Sequence, residues 1–177
     1  GVKKTYRKQY FRALAQYIEV RFDMSASDAA ALTAAIKEAL GTDVTMHTAE
    51  AYAEKLRAFL PRHQAENGFQ IITGDAARAA AEYAAKTAYK ETDAATYQAM
   101  EALVHNLNTM NSRAGAQVPF SSLNYGTDTS PEGRMAVHNL LRATEAGLGD
   151  GETPIFPVQI FKVKEGVNYN EGDPNYD

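Results

Sequence analysis

Pro154-Ile155-Phe156-Pro157-Val158-Gln159-Ile160-Phe161-Lys162-Val163 is a nearly continuous apolar run. If extended, such a run is buried on both faces, as parallel strands in α/β proteins are. Upstream, Gln117-Val118-Pro119-Phe120-Ser121-Ser122-Leu123 also reads as a strand, with a proline near its start, where the missing N–H does least harm. Asn124-Tyr125-Gly126 reads as the turn that leaves it. Between the two runs, Ser130-Pro131 fits an N-cap followed by proline at the first helical position. The helix it opens ends at Gly147 and is expected to carry Met135, Leu140 and Leu141 inward. Strand, helix, strand over 117–163 is therefore a candidate βαβ unit with a right-handed crossover.

Outward from that unit the texture changes. Only Pro61 falls before residue 118, whereas Pro119, Pro131, Pro154, Pro157 and Pro174 crowd the rest. Residues 1–112 are rich in alanine, the best helix former, and read as a helical region. Residues 113–177 read as mixed strand, loop and helix, so the expected class is a helix-rich α/β chain. Tyr6, Tyr10, Leu14, Tyr17 and Ile18 define one apolar face of a helix from Lys3 to Phe22. Ser25 with Asp28 resembles a capping arrangement, and Gly41 closes the helix that follows. A third helix runs from Thr48 and is expected to stop before Pro61, with Tyr52, Leu56, Phe59 and Leu60 as its stripe. Phe69–Thr73 is a β-prone connector or single strand. Two further helices are expected, Asp75–Tyr89 and Asp93–Met110, the second packed through Tyr97, Met100, Leu103, Val104 and Leu107.

The 177 residues carry 22 acidic and 18 basic side chains, for a net charge of −4. A hydrophobic share of 45% and a charged share of 23% disfavour disorder, collagen and coiled coil. Apolar runs fall far short of the ~20 residues that span a bilayer. That balance gives no reason to expect nucleic-acid or membrane partners, and a cytoplasmic location is expected. No cysteine is present, which excludes disulfides, thiolate metal sites and cysteine nucleophiles within the chain. Gly1-Val2-Lys3-Lys4 leads straight into an amphipathic segment, and with no initiator Met both ends read as cut, so a fragment is expected.

No P-loop, G-x-G-x-x-G, H-E-x-x-H or G-x-S-x-G occurs. His47, His63, His105 and His138 lack metal-ligand spacing, so neither a metal site nor a catalytic residue is assigned. The segment from Asn106 to Asp128 concentrates polar groups around a short apolar strand. There Arg113 could grip a phosphate, and Ser121, Ser122 and Asn124 could hydrogen-bond a sugar; these are the candidate substrate-binding residues. Equally, Ser, Asn and Gly are what turns and caps are made of. The start of the Ser130-Pro131 helix is a second candidate anion site. Lys3, Lys4, Arg7, Lys8 and Arg12 load the first helix with positive charge. Arg7 and Lys8 are candidates for a phosphate-binding or interface surface, and a merely solvated face is the other reading.

The wording of the chain then becomes informative. His105-Asn106-Leu107-Asn108-Thr109-Met110, Ser112-Arg113-Ala114-Gly115-Ala116-Gln117-Val118-Pro119-Phe120-Ser121-Ser122 and Asn124-Tyr125-Gly126-Thr127-Asp128 closely resemble anaerobic (class III) ribonucleoside-triphosphate reductase. The resemblance continues through Thr129-Ser130-Pro131-Glu132-Gly133-Arg134, Pro154-Ile155-Phe156-Pro157 and Lys164-Glu165-Gly166-Val167-Asn168. It is strong over 96–177 and thin over 1–95. It implies a glycyl-radical enzyme with a ten-stranded α/β barrel, in which a cysteine thiyl radical takes the ribose 3′ hydrogen before the 2′ hydroxyl leaves as water. It also implies a structural zinc, ATP and dATP effectors, a homodimer and a radical-SAM activating enzyme. Without cysteine, this chain would be an inactive internal piece of such a catalytic subunit, holding helices and two barrel strands. The other reading is a non-catalytic nucleotide-effector-binding or dimerisation module of the same ancestry.

Overall fold

The computed structural model describes residues 1–110 and 117–176. Its elements are α1 (Val2–Arg21), α2 (Ala26–Leu40), α3 (Ala49–Glu66), α4 (Gly74–Thr109), β1 (Ser122–Tyr125), α5 (Pro131–Ala146) and β2 (Val158–Phe161). Two compact units divide the chain, Gly1–Thr92 and Asp93–Asp177. Compactness thus puts the division inside α4, ahead of the composition shift at 112/113.

In the first unit the α1 face expected from periodicity is the one that packs. Tyr6, Tyr10, Leu14 and Ile18 are buried with Ile36 of α2 and with Tyr52, Leu56 and Leu60 of α3. Ala77, Ala80, Ala81, Ala84 and Ala88 bury the first half of α4 in the same core, where a methyl side chain allows close approach. Ser25 Oγ accepts from the Asp28 N–H at 3.1 Å, and Gly41 takes φ 79° at the other end of α2. Both caps were legible because capping is local chemistry.

Two helical expectations need correction. α3 runs through Pro61 to Glu66. Proline removes one backbone bond, but Leu60 and Gln64 on either side of it are both buried, and Gln64 Nε2 donates to the Gln70 carbonyl at 3.2 Å. That anchorage holds the last turns in line. The two helices expected at 75–89 and 93–110 are one, because Asp93 is not used as a cap: its Oδ1 accepts from Asn139 Nδ2 at 2.8 Å. Phe69–Thr73 forms no strand and serves as the connector, with Ile72 buried and Thr73 Oγ1 accepting from the Ala76 N–H.

In the second unit β1 and β2 pair in parallel, Ser122 against Val158 through Tyr125 against Phe161, with α5 in the connection. The strand–helix–strand reading is correct and the unit is α/β. Ser130 Oγ accepts from the Gly133 N–H at 3.1 Å, Pro131 opens α5, and Gly147 closes it at φ 76°. The first strand begins later than expected and takes in Asn124 and Tyr125. The second is not buried on both faces: Ile160 is 44% and Phe161 54% exposed. Among the described residues only one sheet face is covered, where Leu123 and Tyr125 pack on Val104, Leu140 and Ala143. Met135 and Leu140 point inward as expected, but Leu141 is 44% exposed. No helix among the described residues is long and apolar enough to cross a membrane.

Candidate functional site

Strand alternation sorts the β1 side chains. Leu123 and Tyr125 face the core with Gln159, whose Oε1 accepts from Tyr125 Oη at 2.9 Å and whose Nε2 donates to Thr144 Oγ1 of α5. Ser122 and Asn124 therefore stand on the opposite face, level with Val158 and Ile160, and are exposed. Asn124, at the strand end, also borders a cleft of about 530 Å³ with Gly126, Asp128, Arg134, His138 and Phe161. Ser121 precedes the strand: its carbonyl accepts from Val158 N–H at 2.9 Å, and its Oγ is buried with no hydrogen-bond partner. The structure thus brings Ser122 and Asn124 to one face and separates Ser121 from them. Arg113 lies outside the described residues.

The second candidate anion site, the start of α5, is already taken. Asp128 Oδ1 accepts from the Ser130 N–H at 2.9 Å, and a Cβ on Gly133 would lie 2.3 Å from the Asp128 carboxylate carbon. A carboxylate of the chain itself meets the positive end of the helix dipole, so an incoming anion would face like charge. Gly133 is there because only a bare Cα leaves room for it.

In the first unit Arg7 and Lys8 do come together with other cations. Lys4, Arg7, Lys8 and Arg12 of α1 line a hollow of about 680 Å³ with Lys37 of α2. Arg7 is partly neutralised, its Nη2 lying 2.9 Å from Asp43 Oδ1 in an exposed ion pair. Lys37 Nζ sits 4.9 Å from the centroid of the Phe11 ring. The remaining charge has helix-fixed spacing and open access, an arrangement that suits a polyphosphate.

Three asparagines organise the second unit: Asn108 lies in the polar segment from Asn106 to Asp128, whereas residue patterns gave no warning of Asn168 and Asn175. Asn108 Oδ1 accepts from the Ile155 and Phe156 N–H groups, and its Nδ2 donates to the Val104 and Phe156 carbonyls. Asn168 and Asn175 bind backbone groups beyond the strand ends. Their partners lie up to 49 residues away, so no local signal marks them. The structural zinc that the resemblance implies belongs to the parent protein outside this stretch; here there is no cysteine, and no group of three or more His, Asp and Glu among the described residues could hold a metal.

Comparison with known proteins bears on the family of the chain. The model of the family described as anaerobic ribonucleoside-triphosphate reductase matches residues 15–177. The anaerobic ribonucleoside-triphosphate reductase of Escherichia coli K12 is 39% identical over 82 residues, which is 46% of this chain and 11% of that protein. The protein of the same name from Salmonella typhimurium is 37% identical over 91 residues, 51% of this chain and 13% of the relative. That of phage T4 is 42% identical over 91 residues, 51% of this chain and 15% of the relative. The matches thus span no more than 15% of these relatives' length. Because the family model takes in the whole βαβ unit together with most of the helical region, the chain belongs to the anaerobic ribonucleoside-triphosphate reductase family.

Proposed function

We propose that this chain is part of the catalytic subunit of an anaerobic ribonucleotide reductase, and that its second unit supplies two neighbouring strands and a connecting helix of a ten-stranded α/β barrel. The whole protein would convert ribonucleoside triphosphates to deoxyribonucleotides by glycyl and thiyl radical chemistry, as a cytoplasmic homodimer served by a radical-SAM activating enzyme. The radical residues would stand elsewhere, since this chain has no cysteine. One observation carries the reading: a parallel strand pair that covers one face with α5 and turns Ser122 and Asn124 to the other. In a barrel with its helices outside, that other face is the interior. The Ser122 hydroxyl and the Asn124 amide then bind and orient the ribose or its phosphates, and Arg113 holds a phosphate. The test is anaerobic turnover by the full-length, activated protein. Asn124→Ala should raise KM for the ribonucleotide roughly tenfold. A KM equal to the wild type for both Asn124→Ala and Ser122→Ala would remove these residues from the site.

A second reading has its own observation, the cationic hollow of α1 and α2. There Arg7 and Lys8 bind the phosphates of an ATP or dATP effector. Calorimetric titration should show weaker dATP binding in Arg7→Ala/Lys8→Ala, by about tenfold, and steep loss of affinity with salt. Asp43→Asn frees Arg7 from its ion pair and should tighten binding. Affinity unchanged in both variants would return this surface to a solvated face.

A further inference from the structure

The loop after β2 turns back over the carboxyl ends of both strands. The last ladder bond runs from the Lys162 N–H to the Tyr125 carbonyl at 2.7 Å. Beyond it Asn168 takes over. Its Nδ2 donates to the Gly126 carbonyl at 2.8 Å and to the Lys162 carbonyl at 2.9 Å, while Oδ1 accepts from the Lys164 N–H at 2.7 Å. This one amide, on a residue only 7% exposed, ties the first residue after β1 to the first after β2. Asn175 repeats the device one step further out. Its Nδ2 donates to the Asp128 carbonyl at 2.9 Å, and its Oδ1 accepts from Arg134 Nε at 2.8 Å. Gly126, at φ 115°, allows the close fit: a Cβ there would lie 2.7 Å from the Lys162 oxygen.

Ligands of parallel α/β folds sit outside the carboxyl ends of the strands. A turn in that place needs its groups held to within about 0.5 Å to be useful to a ligand. We infer that Asn168 is a positioning residue, which through the Gly126 and Lys162 carbonyls sets the height at which Asn124 meets a bound ribonucleotide. The inference rests on the reductase reading above. Asn168 acts through the backbone and does not itself touch substrate.

The experiment uses the full-length protein with Asn168→Ala, Asn168→Asp and the milder Asn175→Ala. Asn168→Ala removes three hydrogen bonds and so lowers the melting temperature, and in the protein that remains folded it should raise KM for the ribonucleotide about tenfold. Asn168→Asp keeps the acceptor but turns a carboxylate oxygen on two carbonyls, so its KM should rise at least as much. Asn175→Ala should give a smaller rise in the same direction, and it reports on the turn even if neither Asn168 variant folds. Amide hydrogen exchange should quicken at Lys164 and over Gly126–Ser130. A role in stability alone would lower the melting temperature and scale kcat with the folded fraction at constant KM, and that result overturns the inference. Wild-type exchange rates in the variants overturn it as well. If the wild type turns over no ribonucleotide, the reductase reading fails, while the exchange data still decide whether Asn168 holds the turn.

Discussion

Tyr10 and Tyr52 meet edge-on in the core of the first unit, ring centroids 5.6 Å apart, yet their hydroxyls differ in what they bind. Tyr52 Oη donates to the Gly41 carbonyl at 2.7 Å, whereas Tyr10 Oη is buried with no hydrogen-bond partner. Losing a made bond costs about 1 kcal/mol, but removing an unsatisfied hydroxyl costs little. In urea unfolding Tyr52→Phe should therefore be less stable by about 1 kcal/mol, and Tyr10→Phe should equal or exceed the wild type. A Tyr10→Phe loss as large as that of Tyr52→Phe would mean that the Tyr10 hydroxyl has a partner. Burial pushes the Tyr52 hydroxyl up to about 12. It raises Tyr10 too, with the neighbouring Tyr52 and Tyr6 oxygens adding to the effect. Unfolded tyrosines ionise near 10, so above that pH the unfolded chain sheds protons that the folded one keeps. The stabilisation is complete below about pH 10 and is lost as pH rises through 12. Melting temperatures across that window should fall, and less steeply in Tyr52→Phe.

At the level of single elements, α5 shows how a local rule and a tertiary contact share one helix end. Ser130 and Pro131 mark its start by capping chemistry that any reader of the chain can find. Gly133 looks like a poor choice three residues into a helix until Asp128 is seen lying against its bare Cα. Gly133→Ala should cost about 1–3 kcal/mol despite alanine's better helix propensity, because the methyl must expel the carboxylate. Combined with Asp128→Ala, the loss should be clearly less than the sum of the two, as groups in contact are not additive. Full additivity in denaturation would separate the two residues. α4 teaches the converse. Asp93 has the chemistry of a cap, but Asn139 claims its side chain and the helix continues. Likewise the break expected at Pro61 gives way to the burial of Leu60 and Gln64.

Among the described residues, the first unit has a well-filled core and the second a sheet covered on one face. Val158, Ile160, Phe161 and Val163 are all at least 38% exposed on or beside β2. Apolar side chains next to unpaired strand edges invite association. The chain expressed alone should self-associate in sedimentation velocity, and Ile160→Lys should shift it toward monomer. A monodisperse wild-type monomer at high concentration would show that these groups are tolerated in water. The candidate site was legible to the same uneven degree. Ser122 was readable as a polar residue of the strand, whereas Asn124 was expected in the turn after it and stands on the strand because β1 runs on to Tyr125. That Ser121 falls outside the strand depends on register with Val158, which only pairing sets. Arg7 and Lys8 were readable as charge, but Lys37 joins them only because α2 packs beside α1.

The amino-acid order by itself determined the helix faces, the caps at Ser25 and Ser130, the strand–helix–strand order and the absence of thiol chemistry. Each depends on residues a few positions apart or on composition alone. Tertiary structure decided where α4 passes Asp93, how α3 passes Pro61, which sheet face is covered, and that Asn168 and Asn175 close the strand ends. Those outcomes turn on partners tens of residues away, whose hydrogen bonds and burial outweigh local preference by amounts the local sequence does not encode.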